Sequence, residues 1–105
     1  MGGRDWVLLG GGNVNWRSKK LRESARHESC VSCGANDGSV VWAHSNEQRH
    51  GKGMGIKAHD LFGAYLCHKC HTQYDQGPQN RQSKEQFFFA CWEKSMIRAC
   101  EKGYL

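Results

Sequence analysis

Apolar residues along the chain predict a few short elements separated by polar, glycine-rich stretches. Residues 39–43 are rich in strand-forming side chains and end at His44, and residues 63–66 can form a return strand. Trp42 and Tyr65 in these strands are expected in the core, together with the phenylalanines. Between the strands, three glycines fall within five positions, at 51, 53 and 55, which predicts a loop over residues 45–57.

Helical spacing predicts two short helices around these strands. In residues 17–27, Ser18 can cap a helix in which Leu21 and Ala25 lie four apart on an inward face. After the second strand, a helix over residues 71–75 should end before the Gly-Pro pair at 77–78. The strands and helices together indicate an α+β fold.

The last element is expected to be the longest helix. The sequence SKEQ at 83–86 matches a capping box with Ser83 at the N-cap, and Gly103 should end the helix. Its buried stripe is predicted to consist of Phe87, Phe88, Ala90, Cys91, Met96, Ile97 and Cys100.

The first sixteen residues differ in composition from the rest. Five glycines surround one short apolar run, Trp6 to Leu9, so residues 1–16 are predicted to be a flexible arm with at most one short strand. Residues 17–105 then form one domain. The start has no basic n-region and no stretch approaches about 20 apolar residues, so we expect no signal peptide, no membrane partner and a cytoplasmic location.

Composition adds information about charge and thiols. Fifteen Lys and Arg residues against ten Asp and Glu residues give a net charge of +5, which favours a polyanionic partner or simply keeps the protein in solution. Six cysteines without a secretion signal favour a metal site, while a disulfide arrangement stays open. Hydrophobic residues make up only 38% of the chain, so a bound metal would supply stability that the small core lacks.

The cysteine spacing is the clearest chemical signal in the sequence. Two CxxC pairs, Cys30 with Cys33 and Cys67 with Cys70, are separated by 33 residues. Four thiolates in two close pairs satisfy tetrahedral Zn²⁺ and leave no open position, which predicts a structural zinc site. The two remaining cysteines, at 91 and 100, are expected to be buried free thiols rather than ligands.

Other polar residues have two interpretations each. His44 at a strand end can be a hydrogen-bonded structural residue or a catalytic one. His71 and Asp75, four apart on one helical face, can chelate a divalent ion or form an exposed pair of small energetic effect. The basic residues near the start of the domain can face solvent or contact phosphates; they are Arg17, Lys19, Lys20, Arg22 and Arg26.

The predicted order of elements resembles the ββα-metal (HNH) nuclease motif: a strand ending in histidine, a loop, a return strand and a helix with ligands, clamped by cysteines. More narrowly, the chain is similar to the small prophage-encoded nucleases of the YbcO-like family over roughly residues 18–105. This likeness rests on Ala43-His44, Gly53-Met54-Gly55-Ile56-Lys57, Asp60, the CxxCH at 67–71 and Asp75. The resemblance implies a small zinc-stapled ββα-metal domain with flanking helices, in the host cytoplasm if it is encoded by a phage.

The resemblance also implies roles in the hydrolysis of DNA phosphodiester bonds. His44 would be the general base that takes a proton from the attacking water. His71 and Asp75 would hold Mg²⁺ or another divalent ion against the scissile phosphate. Asp60 would orient the loop of His44 or serve as a third ligand, and Lys57 would lie near the phosphate.

The chain departs from the HNH pattern at two positions. Ala43 stands where many of these enzymes have an Asp or His ligand, and Asp60 stands where Asn is common. Three functions therefore remain open: a metal-dependent endonuclease, a non-catalytic zinc module that binds nucleic acid, and a zinc-stapled protein-interaction domain. Of these, only the endonuclease requires His44.

Overall fold

The elements of the fold are three helices, two strands and two short 3₁₀ turns, in a computed structural model that describes residues 15–105. They are α1 (Lys19–Ser24), β1 (Val41–His44), β2 (Gly63–Leu66), α2 (His68–Gln76) and α3 (Arg81–Glu101), with 3₁₀ turns at Ala25–His27 and Gln48–His50. The predicted α+β class is confirmed, and the order of the elements after α1 is β, β, α, α.

Asn15 and Trp16, which belong to the predicted arm, are attached to the rest of the domain by hydrogen bonds. The side-chain amide of Asn15 donates to the carbonyl oxygen of Gly51 at 2.8 Å, and the backbone N–H of Trp16 donates to Nδ1 of His59 at 2.8 Å. The strand predicted within Trp6 to Leu9 lies outside the described residues.

The two strands pair antiparallel and place His44 at one end of the sheet. Trp42 lies opposite Tyr65, and His44 lies opposite Gly63. A side chain on Gly63 would collide with the indole of Trp42, so glycine is needed where that ring crosses the neighbouring strand. Because side chains alternate along a strand, His44 shares a face with Trp42, and Ala43 points to the opposite face.

Packing around the sheet covers the outer edge of β2. The N–H of Tyr65 donates to Oγ of Ser95 on α3 at 3.0 Å, and its carbonyl oxygen accepts from the N–H of Val31 at 2.9 Å. The edge is therefore satisfied by the protein itself. Trp42 and Tyr65 are buried as predicted, together with Leu21, Ala64, Leu66 and Ala99.

The first two helices follow the sequence pattern closely. Oγ of Ser18 accepts a hydrogen bond from the N–H of Leu21 at 3.2 Å, so Ser18 caps α1 as predicted. α2 ends at Gln76, before Gly77, as predicted, but it begins three residues earlier than expected because the second CxxC pair forms its first turn.

The start of α3 corrects the sequence prediction. Oδ1 of Asn80 accepts from the N–H of Ser83 at 2.8 Å, so Asn80 is the N-cap and Ser83 lies in the first turn. The Ser83 assignment was wrong because Asn and Ser cap helices about equally well, and an Asn stands three residues earlier.

The buried stripe of α3 is also narrower than predicted. Phe88, Cys91, Ser95 and Ala99 are buried, whereas Ala90, Ile97 and Cys100 are exposed. Phe89 is also exposed, so the expectation that the phenylalanines lie in the core is wrong for this residue. A helix that packs along one line against β2 buries positions three or four apart, so apolar residues outside that line remain at the surface. Within residues 15–105, no helix combines the length and apolar character needed to cross a membrane.

Candidate metal centre and active site

The four cysteines of the CxxC pairs come together where β2 runs into α2. Their sulfur atoms all lie within 4.8 Å of one another, and Sγ of Cys33 is 3.6 Å from Sγ of Cys67. Four sulfurs bound to one ion at about 2.3 Å would lie about 3.8 Å apart, whereas a disulfide bond is about 2.05 Å long. All six cysteines of the chain are free thiols, so the arrangement suits a metal such as zinc and not disulfides.

Backbone N–H groups around Cys30 favour the thiolate form of its side chain. The N–H of Cys33 donates to Sγ of Cys30 at 3.5 Å. Burial alone would raise the pKa of the Cys30 thiol, but the backbone N–H groups of Cys33, Cys67 and Ser32 outweigh it and lower this pKa to about 7. Burial and the neighbouring thiols raise the pKa of Cys70 to about 12, since thiolates side by side repel each other. A divalent cation would remove this repulsion.

Asp60 is a buried carboxylate that holds His44 in place. Its Oδ1 lies 2.6 Å from Nε2 of His44. Its Oδ2 accepts from the backbone N–H of Ser18 at 2.6 Å and from Nε of Arg22 at 2.8 Å, and Nη1 of Arg17 lies 3.4 Å from Oδ1. Both carboxylate oxygens are thus occupied by protein donors. This arrangement suits an orienting residue better than a third metal ligand.

These donors also fix the charge of Asp60. Burial alone would raise its pKa, but the hydrogen bonds from His44, Ser18 and Arg22 outweigh burial and lower it. Asp60 is therefore a carboxylate at neutral pH, and it can only accept hydrogen bonds. It follows that Nε2 of His44 carries the hydrogen and that its Nδ1 carries the lone pair.

The Nδ1 atom of His44 makes no hydrogen bond and is not fully buried. In the described part of the chain every fully buried side-chain nitrogen and oxygen has a hydrogen-bond partner, and 13% of the His44 side chain is exposed. Burial lowers the pKa of His44; the Asp60 carboxylate acts in the opposite direction, and the cations of Lys57 and Arg17 lower it further. The net shift is downward, so the imidazole is neutral at pH 7.

The predicted pair on α2 forms as the spacing requires. Nε2 of His71 lies 3.1 Å from Oδ2 of Asp75, and Nδ2 of Asn46 donates to Oδ1 of the same carboxylate at 2.9 Å. Asn46 follows His44 by two residues, so the loop after β1 contacts this pair. Within residues 15–105, no hydrogen bond or ion pair joins His44 directly to His71 or Asp75. Among these residues only the four cysteines form a group of three or more potential metal ligands.

The predicted basic residues fall into two groups. The side chains of Lys19, Lys20 and Arg26 are exposed along the first helical segment. Arg22 donates to Asp60, and 42% of its side chain is exposed. Lys57 is exposed, and its ammonium lies close enough to His44 to lower the pKa of that residue.

The sequence placed Arg17 only among the basic residues and did not predict its contacts with the loop and Asp60. Nη2 of Arg17 donates to the carbonyl oxygen of Lys57 at 2.8 Å while its Nη1 approaches Asp60, so Arg17 ties the loop to the start of the domain. Asn46 was missed as the link between the His44 strand and α2. The only available signals were a basic residue beside the predicted cap and a carboxamide two residues after the histidine.

Comparison with known proteins places the chain in a family. A family model described as "Protein of unknown function (DUF968)" matches residues 11–103, which is most of the chain. No curated protein and no solved structure matches the chain.

Proposed function

The chain belongs to the DUF968 family, and we propose that it is a metal-dependent endonuclease that hydrolyses DNA phosphodiester bonds with His44 as its general base. The observation that carries this proposal is the His44–Asp60 pair. It leaves a neutral imidazole whose Nδ1 lone pair has no hydrogen-bond partner, close enough to the cations of Lys57 and Arg17 for them to lower its pKa. The β, β, α order of elements and the cysteine cluster also agree with the ββα-metal resemblance.

The proton transfer uses groups that the fold already holds in place. A water beside His44 gives its proton to Nδ1 as it attacks the phosphorus atom. The imidazolium that forms is stabilised by the Asp60 carboxylate at 2.6 Å. Asp60 remains ionised because Arg22 and the backbone N–H of Ser18 donate to it. The buried carboxylate thus sets both the tautomer and the orientation of the base.

Two metal ions with different roles complete the proposal. Zn²⁺ held by Cys30, Cys33, Cys67 and Cys70 is structural, because four thiolates leave no position for a substrate. His71 and Asp75 would hold Mg²⁺ or a similar ion, which commonly binds to one or two protein ligands and keeps several waters. When bound, such an ion neutralises charge on the phosphate and stabilises the leaving oxygen.

DNA is the substrate that the charge distribution favours. Lys57 and Arg17 lie beside His44, where the scissile phosphate must be placed. Lys19, Lys20 and Arg26 extend the positive surface along the first helical segment, and Arg22 contributes mainly through Asp60. Contacts of this kind make binding fall steeply with salt concentration.

A non-catalytic zinc module that binds nucleic acid is the second candidate. It is favoured by one observation: His71 and Asp75 pair with each other, and no third potential ligand joins them among the described residues. Such a module binds DNA in a salt-dependent way and cuts nothing.

Plasmid nicking in a panel of divalent ions separates the two candidates. We expect the wild-type protein to nick, and His44→Ala to lose at least about 100-fold in rate, which is the lower end of the contribution of a general base. Its thermal stability should stay largely intact because Asp60 keeps its other donors. His27→Ala, at an exposed histidine, is the matched control.

A His44→Ala protein that cuts as fast as the wild type would rule out His44 as the base. A wild-type protein that binds DNA but cuts in no ion, with the cysteine site filled, would establish the second candidate.

A further inference from the structure

A cavity of about 480 Å³ opens beside the His71–Asp75 pair, between the loop after β1, the end of α2 and the first turn of α3. A volume of this size is typical of small-ligand sites. We call it the amide cavity, because three of its lining residues carry carboxamides; the residues that matter here are Asn46, Gln48, Tyr74, Gln79, Arg81 and Lys84.

The lining chemistry suits a nucleotide. Each carboxamide offers both a donor and an acceptor, which is how Asn and Gln recognise the edges of bases. Lys84 supplies positive charge for a phosphate, whereas Arg81 is already paired with the carboxylates of Glu47 and Glu85. The lining also includes one carboxylate, Glu47, and it lies 3.4 Å from Nη2 of Arg81. This ion pair keeps Glu47 from repelling an anionic ligand.

Two residues that line the cavity contact Asp75 of the proposed ion pair. Asn46, which lines it, donates to the side chain of Asp75, and Nζ of Lys84 donates to the carbonyl oxygen of Asp75 at 3.4 Å. A polynucleotide whose phosphate lies against the His71–Asp75 pair would therefore have a neighbouring nucleotide within reach of the cavity.

The walls of the cavity are held by a hydrogen bond and by a tight connection between two helices. The hydroxyl of Tyr74 accepts from the backbone N–H of Asn46 at 3.0 Å, so the loop after β1 is fixed to α2. Between α2 and α3, a side chain at Gly77 would collide with the carbonyl oxygen of Gln73, so only glycine permits this tight connection. A site with fixed walls loses little entropy when it binds a ligand.

We propose that the amide cavity binds one unstacked nucleotide of a single-stranded part of the DNA, next to the bond that is cut. This proposal rests on the proposed endonuclease function and specifies its substrate. A base inside a duplex is stacked and paired, and it would have to be flipped out at a cost of a few kcal/mol. We therefore infer that the protein prefers single-stranded or branched DNA to an intact duplex.

Binding to labelled oligonucleotides tests this assignment without any cleavage. Fluorescence anisotropy is measured for zinc-loaded full-length protein in the His44→Ala background, with a single strand, an abasic strand of the same length and a duplex. Lys84→Gln should weaken binding about 5-fold to both single strands and lower the salt slope by about one, as expected for one lost phosphate contact. Lys94→Gln, ten residues and about 15 Å further along α3, should change affinity less than 2-fold.

A second variant separates base recognition from phosphate binding. Gln79→Ala should weaken binding about 3-fold to the base-bearing strand and leave binding to the abasic strand unchanged, because the lost contacts are to the base edge. Gln82→Ala, an exposed glutamine on the first turn of α3 outside the cavity, is its control.

Equal losses for Lys84→Gln and Lys94→Gln would overturn the proposal, as would a Gln79→Ala loss that persists on the abasic strand or tighter binding to the duplex. Plasmid nicking by the protein with His44 intact is measured separately. If the wild type nicks plasmids and the cavity variants bind DNA as tightly as it does, the cavity proposal is wrong and the endonuclease proposal stands. If the cavity variants weaken binding as expected and the wild type does not nick, the endonuclease proposal is wrong.

Discussion

The cysteine cluster and the His44–Asp60 pair are two polar centres built in opposite ways. The cluster takes its ligands from two local CxxC pairs, so one long-range contact between the pairs completes it. The second centre joins His44 to Asp60, which lies 16 residues later, and to donors from Arg17, Ser18 and Arg22, about 40 residues earlier than Asp60. The spacing of the cysteines predicts the first centre, whereas no local pattern predicts the partners of the second.

The difference extends to what stabilises each centre. Four thiols that share one site repel each other once they ionise, so the cluster depends on a cation supplied from outside the chain. The Asp60 carboxylate is neutralised by the protein's own donors, and no ion is needed. Removing a ligand should therefore affect the whole fold in the first case, and a limited number of hydrogen bonds in the second.

The largest expected effect is that of Cys67→Ser. Binding of a structural zinc contributes about 10–16 kcal/mol in small zinc domains, which is as large as the whole stability of a typical domain. We expect the variant to lose one equivalent of zinc by metal analysis and to lose cooperative unfolding by circular dichroism. Cys100→Ser, at an exposed cysteine outside the cluster, should change neither. A metal-free Cys67→Ser protein that stays native would contradict the zinc assignment.

A smaller loss is expected for Asp60→Asn. This change keeps the size of the side chain and removes the charge that Arg22 and His44 face, so we expect the free energy of unfolding in urea to fall by about 3 kcal/mol. Nicking should fall as well, because the tautomer of His44 is no longer fixed. Asp37→Asn, at an exposed carboxylate, is the matched control. Equal stability of the two variants would show that the Asp60 contacts do not support the fold.

Removing the N-cap of α1 should lower the free energy of unfolding by about 1 kcal/mol. Ser18→Ala removes the hydroxyl that accepts from Leu21, and N-cap substitutions of this kind cost about that much. Ser83→Ala changes the other serine that the sequence suggested as a cap, and it should cost less than half as much, because Asn80 caps α3. The same urea titrations check both, and a larger loss for Ser83→Ala would reverse this assignment.

The smallest effect is expected from the acid titration of His44. Its pKa in the folded protein lies below the ordinary value of 6.5, so the unfolded chain takes up the proton first as the pH falls. Its contribution to stability is therefore complete above about pH 6.5 and is lost below it. The pKa values of His50 and His59 are lowered by burial in the same direction.

Unfolding midpoints at pH 7.5 and pH 5.5 check this prediction. The loss in acid should be smaller in His44→Gln than in the wild type, while the thiolates, which also take up protons, affect both proteins alike. Identical losses would mean that His44 does not lower acid stability. Nicking by the wild type should likewise decline in acid as His44 becomes protonated.

Much of the fold was predictable because its signals are local. The strands, the Ser18 cap and the end of α2 before Gly77 follow from neighbouring residues, and the structure has each of them. The N-cap of α3 was not predictable, because Asn80 and Ser83 are equivalent as isolated signals. The buried stripe of α3 was not predictable either, because the line of contact with β2 selects Ser95 and leaves Ile97 exposed.

The candidate site likewise has a part that local sequence signals predict and a part that depends on long-range contacts. By itself the sequence determined that four thiols would occur as two CxxC pairs and that His71 and Asp75 would share a helical face, since each spacing fixes its geometry within one turn. Only the tertiary structure decided that Asp60 is buried against His44 with both oxygens occupied, and that Asn46 reaches Asp75. The charge, tautomer and exposure of His44 depend on burial and on partners distant in sequence, and no local pattern encodes those quantities.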